Sequence, residues 1–438
     1  MKVLISFIGH AKNREYRPAK YMFPKDETVI ETTFIAKALK EYHNIDKLIL
    51  IGTTKSMWEE VYRNFKGDIE HDPMYWDIGG ICEKQNAHSN PDDFPAEYVK
   101  AVENAIGNGS RVVMIKYGIT EEEIRYNIKK IFSIEGMLNT GDEIYLDITH
   151  SFRSLPIYIM NCMAYISNVS RRNIKIESIS YGMFEASEEL GDKTPVVEMK
   201  SLMDVYEWIS GAYSFSEFGN TYKISKLINE SGNKEIAGKL LNFAETNNLN
   251  MIADMREQVD KLNKTKWDKE GMPEFAKLIV KPVVNGFTKR FNGTDLKDSL
   301  FQIKLAQWHL ECHNYGSAAI TLCEGLLTSF CEAADIKKHT DKDIRDFVKG
   351  ALHKDYKKKR EVESTADYDY RIEIHDKIFK TFEKEYIQKY WVLQNIRNTI
   401  AHNIDKSQNN NKASKSSATI IEELKKHVDY YIKYYDKK

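Results

Sequence analysis

At 438 residues the chain is long enough for two or three domains, each with its own core. Apolar residues make up 42% and charged residues 29%, ordinary values for a globular protein, and no apolar run approaches the roughly 18 residues of a membrane span. A net charge of −1 excludes a surface that gathers polyanions by overall charge, so any nucleic acid needs a local patch.

The opening stretch, Met-Lys-Val-Leu-Ile-Ser-Phe-Ile-Gly, is too short an apolar run for a signal peptide and predicts a buried strand over Lys2 to Ile8, hence a cytoplasmic protein. Glu27 to Glu41 reads as a helix with Ile30, Phe34, Ala38 and Leu39 on its apolar side. Lys47 to Ile51 reads as a strand, followed by a helix carrying Met57, Trp58, Val61, Tyr62 and Phe65. Residues 67–96, rich in Pro, Asn, Asp and Gly, read as an irregular insertion. A helix over Ala96 to Ile106, a strand over Arg111 to Lys116, a helix from Glu121 to Leu138 and a strand over Glu143 to Leu146 follow. Residues 155–167 read as a helix, Ile174 to Tyr181 as a strand, and Pro195 to Met199 as another.

Strand and helix in alternation predict an α/β Rossmann-like domain over 1–200, a parallel sheet with helices on both faces. Beyond residue 200 the strand-like runs vanish, and 201–438 reads as an all-α domain. Its helices are expected at 201–213, over 215–299 with breaks near Asn247, Gly271 and Asn285, and at 302–334, 342–352, 370–400 and 419–435. Lys406 to Ala418 is a polar low-complexity stretch, too poor in apolar groups to fold alone. Lys354, Lys357, Lys358, Lys359 and Arg360 around Tyr356 form a basic run that is either a solvated face or an RNA contact.

In an open α/β sheet, ligands bind at the carboxyl ends of the strands. That rule selects Gly9 and His10, the turn Gly52 to Ser56 with Thr53, the loop Asp147 to Pro156, and Tyr181 to Glu185. In the third of these, Ser154 is a candidate N-cap with Pro156 in the first turn, so free N–H groups and the positive helix end face the crevice. Thr149 and Ser151 add hydroxyls and Arg153 a fixed charge, groups that suit a phosphate ester. The competing reading is that strand-to-helix loops collect Asp, Ser and Thr simply because these residues cap and turn. A G-x-G-x-x-G stretch and a P-loop Lys are both absent, which argues against a dinucleotide or nucleoside triphosphate bound in the usual way.

Near the C-terminus, Arg397, Asn398 and His402 fall within six residues of one another, between the apolar positions Leu393, Ile396 and Ile400. Arg397 can hold a phosphate through its planar fork of donors and His402 can move a proton near neutral pH, a combination suited to RNA cleavage without a metal. The alternative is a pair of surface residues flanking a core seam. Five residues of straight helix turn a side chain by roughly 500°, leaving Arg397 and His402 about 140° apart while Asn398 and His402 share a face. Either the motif spans a helix end or kink, or copies from two chains build one site.

Other candidates are weaker. His309 and His313 stand four apart, but Glu311 lies about 200° around the helix from His309, on the wrong side for the base of a zinc protease. Tyr430, Tyr431, Tyr434 and Tyr435 read as packing rather than a base-stacking platform. The five cysteines, Cys82, Cys162, Cys312, Cys323 and Cys331, include no C-x-x-C pair, which argues against disulfides and a structural zinc and predicts reduced, buried thiols. No helix-turn-helix signature stands out, so DNA is not an expected partner.

Asp147-Ile-Thr-His-Ser-Phe-Arg-Ser-Leu-Pro156 closely resembles the Asp-Ile-Thr-His-x-Phe-Arg-Ser-Leu-Pro signature of a subgroup of CRISPR-associated Rossmann fold (CARF) proteins. Ile5 to Gly9 and Tyr181 to Ala186 resemble flanking family segments, and Arg397 to His402 resembles the R-x4-6-H motif of HEPN ribonucleases. In this order and at this distance the motifs resemble CARF-HEPN effectors of type III CRISPR antiviral systems over nearly the whole chain. The resemblance implies a homodimer whose paired sensor domains bind a cyclic oligoadenylate, cyclic tetra-adenylate being the first choice. Binding would switch on a metal-independent endoribonuclease that cuts single-stranded RNA to 2′,3′-cyclic phosphate products. Gly9, His10, Thr53, Thr149, His150, Ser151, Phe152 and Arg153 would then hold the ligand, and Arg397, Asn398 and His402 would be catalytic. The segment after Gly9, His-Ala-Lys-Asn-Arg-Glu-Tyr, is more basic than the small-residue turn common in the family. The sensor could in addition degrade its own activator through Thr149, His150 and Ser151. The alternative to the nuclease is a ligand-responsive regulator whose helical half only binds RNA or a partner.

Overall fold

The computed structural model describes residues 1–10, 16–67, 69, 71–107, 109–150, 152, 154–170, 172–292, 296–353, 355–358, 364–402 and 416–436, with the backbone alone at His402. The chain divides into two compact units, Met1–Glu207 and Trp208–Lys438.

The first unit is built on an eight-stranded sheet: β1 (Lys2–Phe7), β2 (Ala19–Phe23), β3 (Thr28–Thr32), β4 (Lys47–Thr53), β5 (Arg111–Ile115), β6 (Glu143–Asp147), β7 (Lys175–Gly182) and β8 (Lys193–Glu198). Their spatial order is β3-β2-β8-β7-β6-β1-β4-β5. Five of them, β7-β6-β1-β4-β5, run parallel. β8 turns antiparallel to β7, β2 runs parallel to β8, and β3 closes the edge antiparallel to β2. Every residue of β4 is buried, as a strand covered on both faces requires. The period of two divides its side chains between layers: Leu4, Leu48 and Leu50 pack with α1 (Ile35–His43), α2 (Trp58–Lys66) and α4 (Ala96–Ile106). Val3, Ile5, Ile49 and Ile51 face the opposite layer, with α5 (Glu121–Phe132) and α6 (Leu155–Asn168).

Two expectations fail here. Residues 27–41 are not one helix, because β3 occupies Thr28–Thr32 and pairs with β2 from Ala19↔Thr32 to Phe23↔Thr28. The β-branched run Thr28, Val29, Ile30 favours a strand, and only Ile35 onward is helical. The stretch 67–96 is not irregular throughout, since α3 (Pro73–Glu83) lies inside it. The Asp72 side chain accepts the Met74 N–H with Pro73 in the first turn, a capped start that outweighs the Gly79-Gly80 pair.

The second unit is helical, entered through α7 (Ser201–Phe218). It continues through α8 (Tyr222–Glu230), α9 (Lys234–Asn248), α10 (Ile252–Asn263), a π-helical turn at Ala276–Val280 and α11 (Lys281–Thr288). Then come α12 (Asp298–Glu311), α13 (Tyr315–Ala333), α14 (Lys342–Leu352), α15 (Thr365–Thr381), α16 (Lys384–His402) and α17 (Ser417–Asp436). Pro282 accounts for the π turn: it lacks an N–H, and its ring crowds the carbonyl four residues back. Residues 302–334 are two helices, because His313 adopts φ +58° between α12 and α13. Residues 370–400 are also two, separated at Phe382, which is extended. Asn285 lies inside α11 instead of at a break. One core gathers Phe215, Phe243, Phe287 and Trp308, another Phe330, Tyr386, Tyr390 and Tyr431. The polar stretch from Lys406 lies outside the described residues up to 415.

All five cysteines are free and buried. Among the described residues no helix is long and apolar enough to cross a membrane.

Candidate sensor crevice and ribonuclease motif

β1 lies between β4 and β6, and the chain reaches β4 and β5 on one side before crossing to β6 on the other. The loops after β1 and β6 therefore diverge at a topological switch point, where a crevice opens in folds of this kind. Gly9 follows β1 and is held by two donors to its carbonyl, the Met57 N–H at 3.2 Å and the Tyr16 hydroxyl at 3.3 Å. A Cβ added at Gly9 would stand 3.5 Å from the His150 Cβ, ordinary van der Waals contact, so the two loops lie side by side. His10, next along, is exposed.

The carboxylate of Asp147, fully buried at the end of β6, anchors the second loop. It accepts from Ser6 Oγ at 2.6 Å, Thr149 N–H at 3.0 Å and Thr149 Oγ1 at 2.6 Å. Burial pushes its pKa up, while the Ser6 and Thr149 bonds and His150 pull against that shift. Burial likewise pushes the pKa of the His150 imidazole down and favours the neutral ring, while the attraction of Asp147 works the other way. His150 stacks on Tyr16 at 5.6 Å and tilts against Phe184 at 5.8 Å. Its Nε2 is buried with no hydrogen-bond partner among the described residues. Such an atom costs free energy unless a ligand or water completes it.

The residues selected from the sequence fall into three groups. Gly9, His150 and Phe152 belong to the crevice region, Phe152 being 44% exposed with its ring 5.3 Å from that of Tyr117. Thr53 and Thr149 make hydrogen bonds within the protein. Thr53 is buried, its N–H donates to Ser56 Oγ at 2.9 Å, and Ser56 Oγ donates to the Ile8 carbonyl at 2.9 Å, which welds the turn after β4 to β1. Ser151 and Arg153 lie outside the described residues. Ser154 occupies the N-cap position of α6, but its side chain caps nothing, and Pro156 removes one of the N–H groups expected to face a phosphate. Sequence reasoning missed Tyr16 and Ser6. A serine in an otherwise apolar strand was the available signal for Ser6.

A cavity of about 440 Å³ elsewhere in this unit, lined by Tyr42, His43, Tyr145, Ser178 and Glu198 among others, includes none of these residues. Its most acidic wall is already satisfied: Glu198 accepts from Ser178 Oγ and from the Ile179 and Lys200 N–H groups.

In the second unit, Arg397, Asn398 and His402 all lie in α16. Leu393 and Ile396 are buried and Ile400 packs partly against the same core, which leaves Arg397 half-buried and Asn398 exposed. The Arg397 guanidinium donates to the Asn398 side-chain oxygen at 3.1 Å. The side chain of His402 lies outside the described residues. His309 is buried and His313 stands in the turn beyond its helix, so the two share no helix face. Tyr431 is fully buried and donates to the Tyr386 carbonyl at 3.0 Å, a packing role. In the basic run, Tyr356 stacks on His375 at 3.6 Å and Lys357 lies over the Tyr356 ring at 5.5 Å; Lys354, Lys359 and Arg360 lie outside the described residues. Among the described residues no group of three His, Cys, Asp or Glu side chains could hold a metal ion.

Residues 3–185 match the family model described as CRISPR system endoribonuclease Csx1, CARF domain, and residues 204–295 match that of CRISPR-associated protein MJ1674, second domain. The CRISPR-associated protein MJ1674 of Methanocaldococcus jannaschii is 33% identical over 420 residues, which cover 92% of this chain and 62% of that protein. The chain thus spans less than two thirds of the length of this relative. The structure of Enterococcus italicus Csm6 bound to cyclic hexa-2′-fluoro-hexa-dAMP aligns over 98% of this chain and 93% of its own at 11% identity. Its TM-score of 0.36 is too low to carry an argument about shared geometry. By sequence, then, the chain is similar to CRISPR-associated proteins, with a first unit similar to a CARF domain and a helical segment similar to the second domain of MJ1674.

Proposed function

We propose that the protein is a cyclic oligoadenylate-activated, metal-independent endoribonuclease of type III CRISPR antiviral defence, acting on single-stranded RNA. The observation that carries the sensor half is the buried Nε2 of His150 at the switch point, without a hydrogen-bond partner among the described residues, on a ring that packs against Tyr16 and Phe184. Gly9, His10, Phe152, Ser151 and Arg153 complete the ligand set in this reading, with cyclic tetra-adenylate as the first activator to try. Thr53 and Thr149 hold the two loops in place instead of touching the ligand.

In the cleavage reaction the RNA 2′-hydroxyl attacks the adjacent phosphorus, the bond from phosphorus to the 5′-oxygen breaks, and a 2′,3′-cyclic phosphate and a 5′-hydroxyl result. Arg397 stabilises the charge on the phosphorane, and His402 takes or returns a proton. Asn398 holds the Arg397 fork at its observed orientation. Five residues of regular helix amount to roughly 500° of turn, so in this reading the working site combines motifs from the two chains of a homodimer, which gives the ligand a means of control by shifting one chain against the other.

The test is RNA cleavage in EDTA, with and without cyclic oligoadenylates of defined ring size. Cleavage that requires the ring, ignores EDTA and disappears in Arg397→Ala/His402→Ala supports the reading. Tight ring binding with no turnover of any RNA would replace it with that of a ligand-responsive regulator.

A further inference from the structure

The segment that matches the MJ1674 second domain carries a basic surface the cleavage motif does not use. α10 ends at Asn263, and the chain then turns through Lys264 to Met272. The turn is fixed by its own bonds: Thr265 Oγ1 donates to the Lys261 carbonyl at 3.0 Å, and the Met272 N–H to the Lys269 carbonyl at 3.2 Å. Thr265 and Trp267 are buried, whereas Lys264, Lys266 and Lys269 are exposed.

Two clefts flank this turn. One, of about 450 Å³, is lined by Asn263, Trp267, Lys281 and Asn285 among others; the second, of about 460 Å³, by Glu235, Lys239 and Lys264. Lys266 and Lys269 line both, so the clefts adjoin. Five lysines from two helices and the turn thus meet two carboxylates, and each carboxylate is engaged: Glu235 by Lys239 at 2.8 Å, Asp268 by Lys281 at 2.6 Å. Lys264 and Lys266 make no ion pair or side-chain hydrogen bond among the described residues. Beside them the Trp267 indole N–H is buried without an acceptor among those residues.

We infer that these adjoining clefts dock the phosphate backbone of the single-stranded RNA substrate, outside the cleavage motif. The inference rests on the ribonuclease reading for the identity of its ligand. Lysine ammonium groups act as point charges without the planar fork that reads a base edge, so the grip is independent of sequence. Concave walls with Asn263 and Asn285 amides suit a threaded strand and its sugar hydroxyls better than a flat bilayer of headgroups.

The experiment uses the full chain with Arg397→Ala/His402→Ala, so that RNA survives, and measures anisotropy of a labelled single-stranded oligoribonucleotide between about 50 and 200 mM salt. Adding Lys264→Ser/Lys266→Ser is expected to lower the slope of log K against log salt by about 1.4, from about 0.7 per lost phosphate contact, and to weaken binding about tenfold. Lys264→Arg/Lys266→Arg is expected to restore both. In the active protein the serine pair raises KM about tenfold and changes kcat less than twofold. An unchanged slope and affinity overturns the inference, as does loss of binding to phosphatidylserine vesicles with RNA binding intact. RNA cleaved normally with an unchanged slope removes the docking site alone. A reduced slope, when the chain with Arg397 and His402 intact cleaves no RNA with any ring, removes the ribonuclease reading and leaves the docking site standing.

Discussion

Thr149 Oγ1 accepts the backbone N–H of Gly182 at 2.8 Å while donating to the Asp147 carboxylate at 2.6 Å, so one hydroxyl ties the loop after β6 to the end of β7. Its one donor and one of its two acceptor lone pairs are thereby used within the protein. Thr149→Val keeps the shape and removes both bonds, leaving a backbone donor and a buried carboxylate short of partners. The expected cost is about 1–3 kcal/mol of stability together with weaker binding of the cyclic ligand. Thr149→Ser, which retains the hydroxyl, is expected to recover most of both. Urea unfolding and ligand titration check this; a Val variant with native stability and weakened binding would return Thr149 to direct ligand contact.

How far the sequence revealed this site depended on the range of the contacts. The strand ends and the loop Asp147 to Pro156 are local patterns, and the strand-end rule found them. The hairpin of β2 and β3 was hidden because Ile30, Phe34 and Ala38 have helical spacing, although Pro24, Lys25 and Asp26 gave a turn signal between two short runs. The role of Thr149 could not be read, because its partner Gly182 is 33 positions away in sequence. The stacking of Tyr16 on His150 is likewise a product of tertiary packing.

Gly219 and Gly232 separate two costs of replacing a glycine. Both have positive φ, +68° and +89°, where a side chain is strained. A Cβ at Gly219 would also come 2.7 Å from Cη2 of the buried Trp308, whereas Gly232 has open space. Gly232→Ala is expected to cost about 1 kcal/mol and Gly219→Ala a further 1–3 kcal/mol from overpacking. Equal unfolding midpoints for the two variants would show that Trp308 moves aside freely.

His309 gives the helical unit a defined acid sensitivity. Burial pushes its pKa down to about 4 from an ordinary 6.5, and its Nδ1 has no partner among the described residues. As pH falls below 6.5 the unfolded chain takes up a proton that the folded chain refuses until about pH 4, so this contribution is complete above 6.5 and lost between 6.5 and 4. The loss is at most about 3 kcal/mol. His309→Leu is expected to flatten that part of the stability profile, leaving only the fall due to carboxylates at lower pH. Urea midpoints of the two proteins at several pH values decide it, and parallel curves would show that water reaches the ring.

Asn398 is exposed and its one described side-chain contact is with Arg397, so its replacement separates positioning from folding. Asn398→Ala frees the guanidinium fork without opening the core at Leu393 and Ile396, and unfolding is expected to shift by less than about 0.5 kcal/mol. On the proposed ribonuclease function, cleavage should nevertheless fall, through kcat more than KM, because an unheld Arg397 would spend less time aligned with the phosphorane. Arg397→Ala removes the charge itself and is expected to cost about 10²–10³ in kcat, the scale of losing one donor to a developing anion. The double variant should then be little worse than Arg397→Ala, since Asn398 acts through the arginine. Full additivity of the two losses would instead place Asn398 on the RNA.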